Sequence, residues 1–245
     1  MPELSRRAFL AGAPSLGAAL ALGGCVATPP PGEPGPAQAS LLLPAPAPAF
    51  GSSNYALMYA AVPNEPFPVP AVDLTRIDPA FLRANVFYPT DQAPGTIIVD
   101  PHARYLYFVE DGGRATRYGV GVGRQGFSWS GVATINSKQA WPDWYPPKEM
   151  FERQPELLER MSQLQSGLGV PGGPGNPLGA RALYLWQNGK DTLYRIHGTI
   201  EPWTIGTSVS SGCIRMINQD AIHLYDRVPI GTEVVVLGSG GGVVG

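Results

Sequence analysis

His197-Gly-Thr-Ile-Glu-Pro-Trp-Thr-Ile-Gly-Thr-Ser-Val-Ser-Ser-Gly-Cys-Ile-Arg215 holds one of three histidines and one of two cysteines in the chain, sixteen positions apart. A thiol becomes a nucleophile at neutral pH when a nearby base takes its proton. This segment offers thiol and base together, with a glycine beside each and an arginine just beyond. Its surroundings say how it is held. Upstream, Ala182–Gln187 and Thr192–His197 flank Asn188-Gly189-Lys190, a strong hairpin signal that sets His197 at the end of a strand. Downstream, Asn218 reads as the cap of a helix with Ala221, Leu224, Tyr225 and Val228 on one face. Thr232–Leu237 then reads as a last strand.

Further upstream the texture stays β from Pro94 onward. Thr96-Ile97-Ile98-Val99 is a buried-type apolar run, and Arg104–Glu110 and Ala115–Val122 form a hairpin about Asp111-Gly112-Gly113. Ala133–Ile135 reads as a short strand. Pro155 suits the start of a helix over Glu156–Gln165 with an apolar face of Leu157, Leu158, Met161 and Leu164. Gly167–Gly179 reads as a long Gly/Pro loop, and Trp141–Tyr145 as aromatics packed among prolines or walling a groove. Between 55 and 93 the repeated prolines predict an irregular arm over the domain surface, with a short helix near Pro79–Asn85.

The amino terminus carries an address. Ser5-Arg6-Arg7-Ala8-Phe9-Leu10 precedes an apolar stretch too short to span a bilayer, so residues 1–27 read as an export signal of twin-arginine type. Leu22-Gly23-Gly24-Cys25 resembles a lipobox, which makes Cys25 a lipidation site and a membrane tether. Ordinary cleavage after Ala27 is the other reading. Either way Cys25 is accounted for by processing, and Cys213 is the one cysteine of the mature domain. Residues 28–54 are a Pro/Ala-rich linker, and 238–245 a Gly-rich tail. A net charge of −2 gives no basic stripe, so nucleic-acid binding is set aside.

Elimination narrows the base. His102 falls in a turn and reads as a surface residue, and His223 as a partly exposed helix residue, which leaves His197. Gly212 permits a tight turn whose amide N–H groups face an oxyanion, and Arg215 suits a substrate carboxylate. There is no Cys-x-x-Cys and no His-x-x-x-His, so zinc ligation and thioredoxin-like redox are set aside and no cofactor is expected. The residues alone still leave two readings of Cys213, a buried inert thiol or an acyl-transfer nucleophile.

A family resemblance separates them. His197-Gly198-Thr199, Ile205-Gly206, Ser210-Ser211-Gly212-Cys213-Ile214-Arg215-Met216, Asn218, Asp220, Leu224-Tyr225, Val228 and Gly231-Thr232 are similar to the signature of the L,D-transpeptidase catalytic domain, the YkuD-like family. The likeness continues upstream through Pro94-Gly95-Thr96-Ile97, Gly121-Val122-Gly123 and Asn176-Pro177-Leu178-Gly179, covering residues 94–237. It implies a mainly β, β-sandwich-like domain with a few short helices, acting on peptidoglycan. Family members attack the third residue's carbonyl in a tetrapeptide stem, release D-alanine and hold the stem as a thioester. A neighbouring stem's amine, an envelope protein or water then takes it. The resemblance makes Cys213 the nucleophile and His197 the general base. Gly212 and Cys213 supply the oxyanion turn with Ser210 and Ser211 beside it, and Arg215 grips a substrate carboxylate or orders the loop. Many members have histidine where this chain has Ser211, which leaves His197 as the only base.

Overall fold

Ile97-Ile98-Val99 is apolar at every position because both faces of its strand are covered. Ile97 and Val99 enter the main core, while Ile98 packs with Val109 and Val235 on the other side. The same two-sided burial fixes the strand beside it, whose Val234 and Val236 face the main core. These two strands pair in parallel, Val234 against Ile97 through Val236 against Val99.

The computed structural model describes residues 52–123, 129–146, 150, 155–210 and 212–238. The export signal, Cys25, most of the linker, Ser211 and the tail from 239 lie outside the described residues. Among the described residues the strands are β1 (Ala84–Phe87), β2 (Ile97–Asp100), β3 (Tyr105–Glu110), β4 (Arg114–Gly119), β5 (Val122–Gly123), β6 (Gly131–Ala140), β7 (Ser162–Leu164), β8 (Gly167–Gly169), β9 (Arg181–Gln187), β10 (Lys190–His197), β11 (Ser208–Ser210), β12 (Ile214–Arg215) and β13 (Glu233–Val236). Helices α1 (Ser52–Met58) and α2 (Asn218–Arg227) accompany them, with short 3-10 turns between.

Nine strands form one sheet in the order β1-β4-β3-β2-β13-β6-β9-β10-β12, and β11-β5 and β7-β8 are separate pairs. Side chains from β2, β3, β4, β6, β9, β10, β12 and β13 meet Ala221 and Leu224 of α2 in one core. The architecture is thus mainly β and sandwich-like. Asn188 and Gly189 both take positive φ (51° and 73°), the type I′ turn that matches strand twist, and it closes the β9–β10 hairpin as the sequence predicts.

Several expectations change. The helix predicted over Glu156–Gln165 is a 3-10 turn at Pro155–Arg160, after which the chain folds back as the β7–β8 hairpin. Leu158 is left half exposed, so this position of the expected apolar face meets no core. The expected loop Gly167–Gly179 accordingly begins as a strand. The helix near Pro79–Asn85 is a 3-10 turn, Pro79–Phe81, followed by β1. β6 runs ten residues, well past the short strand expected.

The segment 55–93 is not merely an irregular arm. It supplies β1, an edge strand of the main sheet, and with α1 it builds a satellite core of Tyr59, Ile77 and Leu82 against Ile205 and Ile217. The first turn of α1 also takes the last three residues of the predicted linker. Polar contacts tie this segment down. The Gln219 side chain donates to the carbonyls of Tyr59, Ala60 and Pro70, and Glu65 takes a two-pronged grip from Arg181 while accepting from Trp141 Nε1 at 2.9 Å.

The Tyr59 hydroxyl donates to Asp220 Oδ2 at 3.0 Å and accepts the Arg83 N–H at 2.7 Å. Asp220 is fully enclosed, and burial pushes its carboxyl up to about 6 against the opposing pull of Arg83 and the Tyr59 hydroxyl. A carboxyl raised in the folded state stabilises that state in its protonated form. This contribution is present below about pH 4 and is lost as pH rises through about 6. The Asp220→Asn variant is therefore expected to show a urea midpoint that changes less between about pH 4 and pH 7 than that of the wild type. An identical pH dependence in the two proteins would refute the assignment.

Candidate active site

β10 and β12 pair in parallel over two residues, Ile196 against Ile214 and His197 against Arg215. The two isoleucines are buried in the main core. Side chains alternate along a strand, so His197 and Arg215 stand on the opposite face. Carried back one residue, the same register sets Arg195 beside Cys213 on that face. Histidine and thiol are thus diagonal neighbours across two adjacent strands, with an arginine next to each.

The imidazole is held from its own turn. His197 Nδ1 lies 2.5 Å from the Gly198 carbonyl oxygen. A carbonyl only accepts, so Nδ1 carries the proton and Nε2 keeps the lone pair. The main chain is fixed as well, since the His197 carbonyl accepts the Met216 N–H at 2.8 Å and the Gly198 N–H reaches the Arg181 carbonyl at 3.0 Å.

Asn218 completes this support, in a role the sequence did not reveal. Expected to cap α2, it is instead the first residue of that helix, with Ile217 at the cap position. Its Oδ1 accepts the Ala180 N–H at 3.0 Å. A Cβ on Gly198 or on Gly179 would meet that oxygen at 2.1 or 2.2 Å. The turn that orients His197 is therefore packed directly on the first residue of α2. Asn176 fixes the other wall of this joint, donating to the Pro142, Val170 and Pro171 carbonyls and accepting the Leu178 N–H.

Cys213 follows a glycine for two reasons. Gly212 has φ 131°, and a Cβ there would lie 2.9 Å from Tyr194 Cε1. Tyr194 in turn stacks on Trp129, with centroids 5.5 Å apart. The β10 strand reaches this point through an irregularity between Asp191 and Arg195, where Leu193 takes φ 64° and is 74% exposed. Asp191 holds it in place, accepting the Leu193 N–H at 2.8 Å and both Arg195 Nη groups at 2.9 Å. Ser210 ends β11, which pairs with β5.

The electrostatics favour a neutral resting pair. Burial lowers the His197 imidazole to about 4, and the charges of Arg215 and Arg195 act in the same direction, against the Gly198 carbonyl bond. Burial also raises the Cys213 thiol, although the Arg195 N–H and the Arg195 and Arg215 charges favour the thiolate. A neutral thiol beside a neutral imidazole therefore describes the resting state, and a preformed thiolate–imidazolium pair does not. His102 is exposed, and His223 is half-buried with Nδ1 2.8 Å from the Tyr118 hydroxyl. Among the described residues no cluster of three or more His, Cys, Asp or Glu side chains is placed to hold a metal.

A cavity of about 300 Å³ lies beside the 199–203 loop, with Trp141, Thr199, Ile200, Trp203 and Asn218 in its wall. His197, Cys213 and Arg215 do not line it. Trp141 packs edge-on against Phe67 at 5.1 Å, so this part of the aromatic run serves to seat the 55–93 segment.

The family model of the L,D-transpeptidase catalytic domain, YkuD, matches residues 94–236. The chain belongs to that family. The matched span contains His197, Gly212, Cys213 and Arg215. Among similar proteins, the probable L,D-transpeptidase ErfK/SrfK of Escherichia coli K12 is 33% identical over 157 residues, 62% of this chain and 47% of that protein. The probable L,D-transpeptidase YbiS of the same strain is 32% identical over 154 residues, 61% of this chain and 46% of that one. The chain spans about half the length of these curated relatives. A crystal structure of a probable carnitine operon oxidoreductase, caia, from Brucella melitensis is 53% identical, covering 67% of this chain and 99% of that one, with a TM-score of 0.44.

Two outcomes test this site in the L,D-transpeptidase domain. With a neutral resting pair, iodoacetamide alkylation of Cys213 should keep accelerating from about pH 6 to beyond pH 9, since only thiolate reacts. A rate that is already level by about pH 6 would mean a resting ion pair. Replacing Gly212 with alanine puts a Cβ at a positive φ and against Tyr194. It is expected to slow Cys213 alkylation and to cost about 1 kcal/mol or more of stability by urea unfolding.

Proposed function

We propose that this chain is a peptidoglycan L,D-transpeptidase in which Cys213 takes a stem peptide as a thioester and passes it to an amine. The observation that carries this reading is the tautomer of His197. With Nδ1–H committed to the Gly198 carbonyl, Nε2 is a neutral acceptor on the same sheet face as Cys213. In the forward step the thiol proton moves to Nε2 as sulfur bonds to the stem carbonyl carbon. The imidazolium then gives that proton to the departing amine of D-alanine. Collapse of the tetrahedral intermediate leaves the thioester, and an incoming amine reverses the sequence.

The turn at Gly212 supports the role of its backbone N–H groups as oxyanion donors, each worth about 3 kcal/mol in sites of this kind. Arg215 supplies the cation for a substrate carboxylate. The twin-arginine-like motif and the Leu22–Cys25 lipobox favour export and tethering at the cell envelope, where stem peptides are found.

Incubating the protein with purified tetrapeptide muropeptides and weighing the products tests the reading. Cross-linked dimers should form with wild type and fall by at least about a thousandfold with Cys213→Ala or His197→Ala, as for removal of other nucleophile–base members. Tripeptides without dimers would reassign the enzyme as an L,D-carboxypeptidase, and intact tetrapeptides would overturn catalysis altogether. A carbapenem is expected to add its mass to wild type but not to Cys213→Ala; addition to both would remove Cys213 as the nucleophile.

A further inference from the structure

We infer that Glu201 sets donor specificity, occupying Arg215 in the resting site as a stand-in for a substrate carboxylate that must displace it. This rests on the transpeptidase reading above and extends it to the recognition of the leaving residue.

Two arginines of this domain make forked ion pairs. Arg181 grips Glu65, and Arg195 grips Asp191, each with two nitrogens on two carboxylate oxygens. Such forked pairs are the strong form of the interaction. Arg215 differs. It meets Glu201 through one contact, Nη1 to Oε2 at 3.2 Å, and its Nε, like that of Arg181, is buried without a hydrogen-bond partner. The arginine side chain is 18% exposed, while the glutamate side chain is 47% exposed. A single bond to a carboxylate half in water is weak and readily exchanged.

The backbone around the pair is firm, so exchange needs only a side-chain rotation. Arg215 is bonded to Gly121 in both directions, at 2.9 and 3.0 Å. The Glu201 N–H donates to Thr199 Oγ1 at 3.1 Å, and its carbonyl accepts from Thr204 N and Oγ1. Glu201 sits at the cap of the Pro202–Thr204 turn, yet its side chain does not cap it. It is turned toward Arg215.

The position fits one substrate feature. Arg215 lies two residues beyond Cys213 on the same strand face, and its charge acts on both Cys213 and His197. A donor cleaved before its last residue carries a terminal carboxylate on the leaving group, one residue past the reacting carbonyl. Exchanging that carboxylate for Glu201 satisfies Arg215 in a forked geometry and leaves the charge of the site unchanged. The thiol and imidazole then stay neutral as the donor binds. A donor ending in a carboxamide or an ester cannot make this exchange.

The test compares a tetrapeptide stem ending in a free carboxylate with the same stem as its carboxamide, using the full chain. Wild type should have a KM for the acid at least about tenfold below that for the amide, as expected for loss of a charge-assisted bond. Glu201→Gln should lower KM for the acid about two- to fivefold with kcat unchanged, the size of a rim ion pair, and leave the amide unaffected. Glu201→Asp should restore wild-type behaviour in part, and Arg215→Gln should abolish the preference for the acid. Equal use of both donors by wild type, or a Glu201→Gln change that weakens both donors alike, would overturn the proposal. Binding measured by calorimetry in a Cys213→Ala background separates it from the catalytic reading. An acid preference there, sharpened by Glu201→Gln, sustains the role of Glu201 even if wild type turns over nothing. Binding without preference sinks that role even if turnover is brisk.

Discussion

Two rungs of parallel pairing between β10 and β12 set the terms for the whole site. Ile196 and Ile214 drive them, because burying that pair in the main core is what holds β12 at the sheet edge. The alternation of the strands then leaves no choice about the other face: His197, Arg195, Cys213 and Arg215 must share it. The loop joining the two strands carries Glu201 and Thr199. It is pinned by the reciprocal bonds between Gly121 and Arg215 and by the bond from the Gly206 N–H to the Val120 carbonyl. Apolar burial on one side therefore fixes polar geometry on the other.

This arrangement explains why a site with two arginines holds its histidine neutral. Cations near an imidazole disfavour its charged form, and burial acts in the same direction. The same cations favour thiolate, but burial outweighs them at Cys213. In the reaction proposed above, Arg195 and Arg215 stand near negative charge that would appear on sulfur or on a carbonyl oxygen. Preorganised dipoles and charges of that kind cost no rearrangement when the transition state forms.

Much of this was legible in the chain. The hairpin around Asn188-Gly189 and the apolar strand Ile97–Val99 have local signals with a direct physical cause, and so does the glycine before Cys213. The nearness of His197 to Cys213 was also readable, from the short segment that joins them. What escaped notice lies in long-range partners. Asn218 looked like a helix cap because such residues usually are; its oxygen is claimed by Ala180, thirty-eight positions away. The prolines of 55–93 hid an edge strand whose partner, β4, supplies the pairing that the segment itself does not advertise. The apolar stripe after Pro155 misled for the opposite reason, since periodicity cannot say whether a core exists for it to meet. Glu201 gave no signal, because one carboxylate in a loop is unremarkable until Arg215 is beside it.

The lodging of the Asn218 oxygen between Gly179 and Gly198 has a further consequence for how such a domain can diverge. Neither glycine has room for a methyl group, and Asn218 cannot be enlarged without pushing on both. Three positions spread across forty residues of sequence therefore form a lock with one key. A side chain on either glycine would press on the oxygen that joins the turn after His197 to α2, so growth at one of these positions calls for a smaller residue at another.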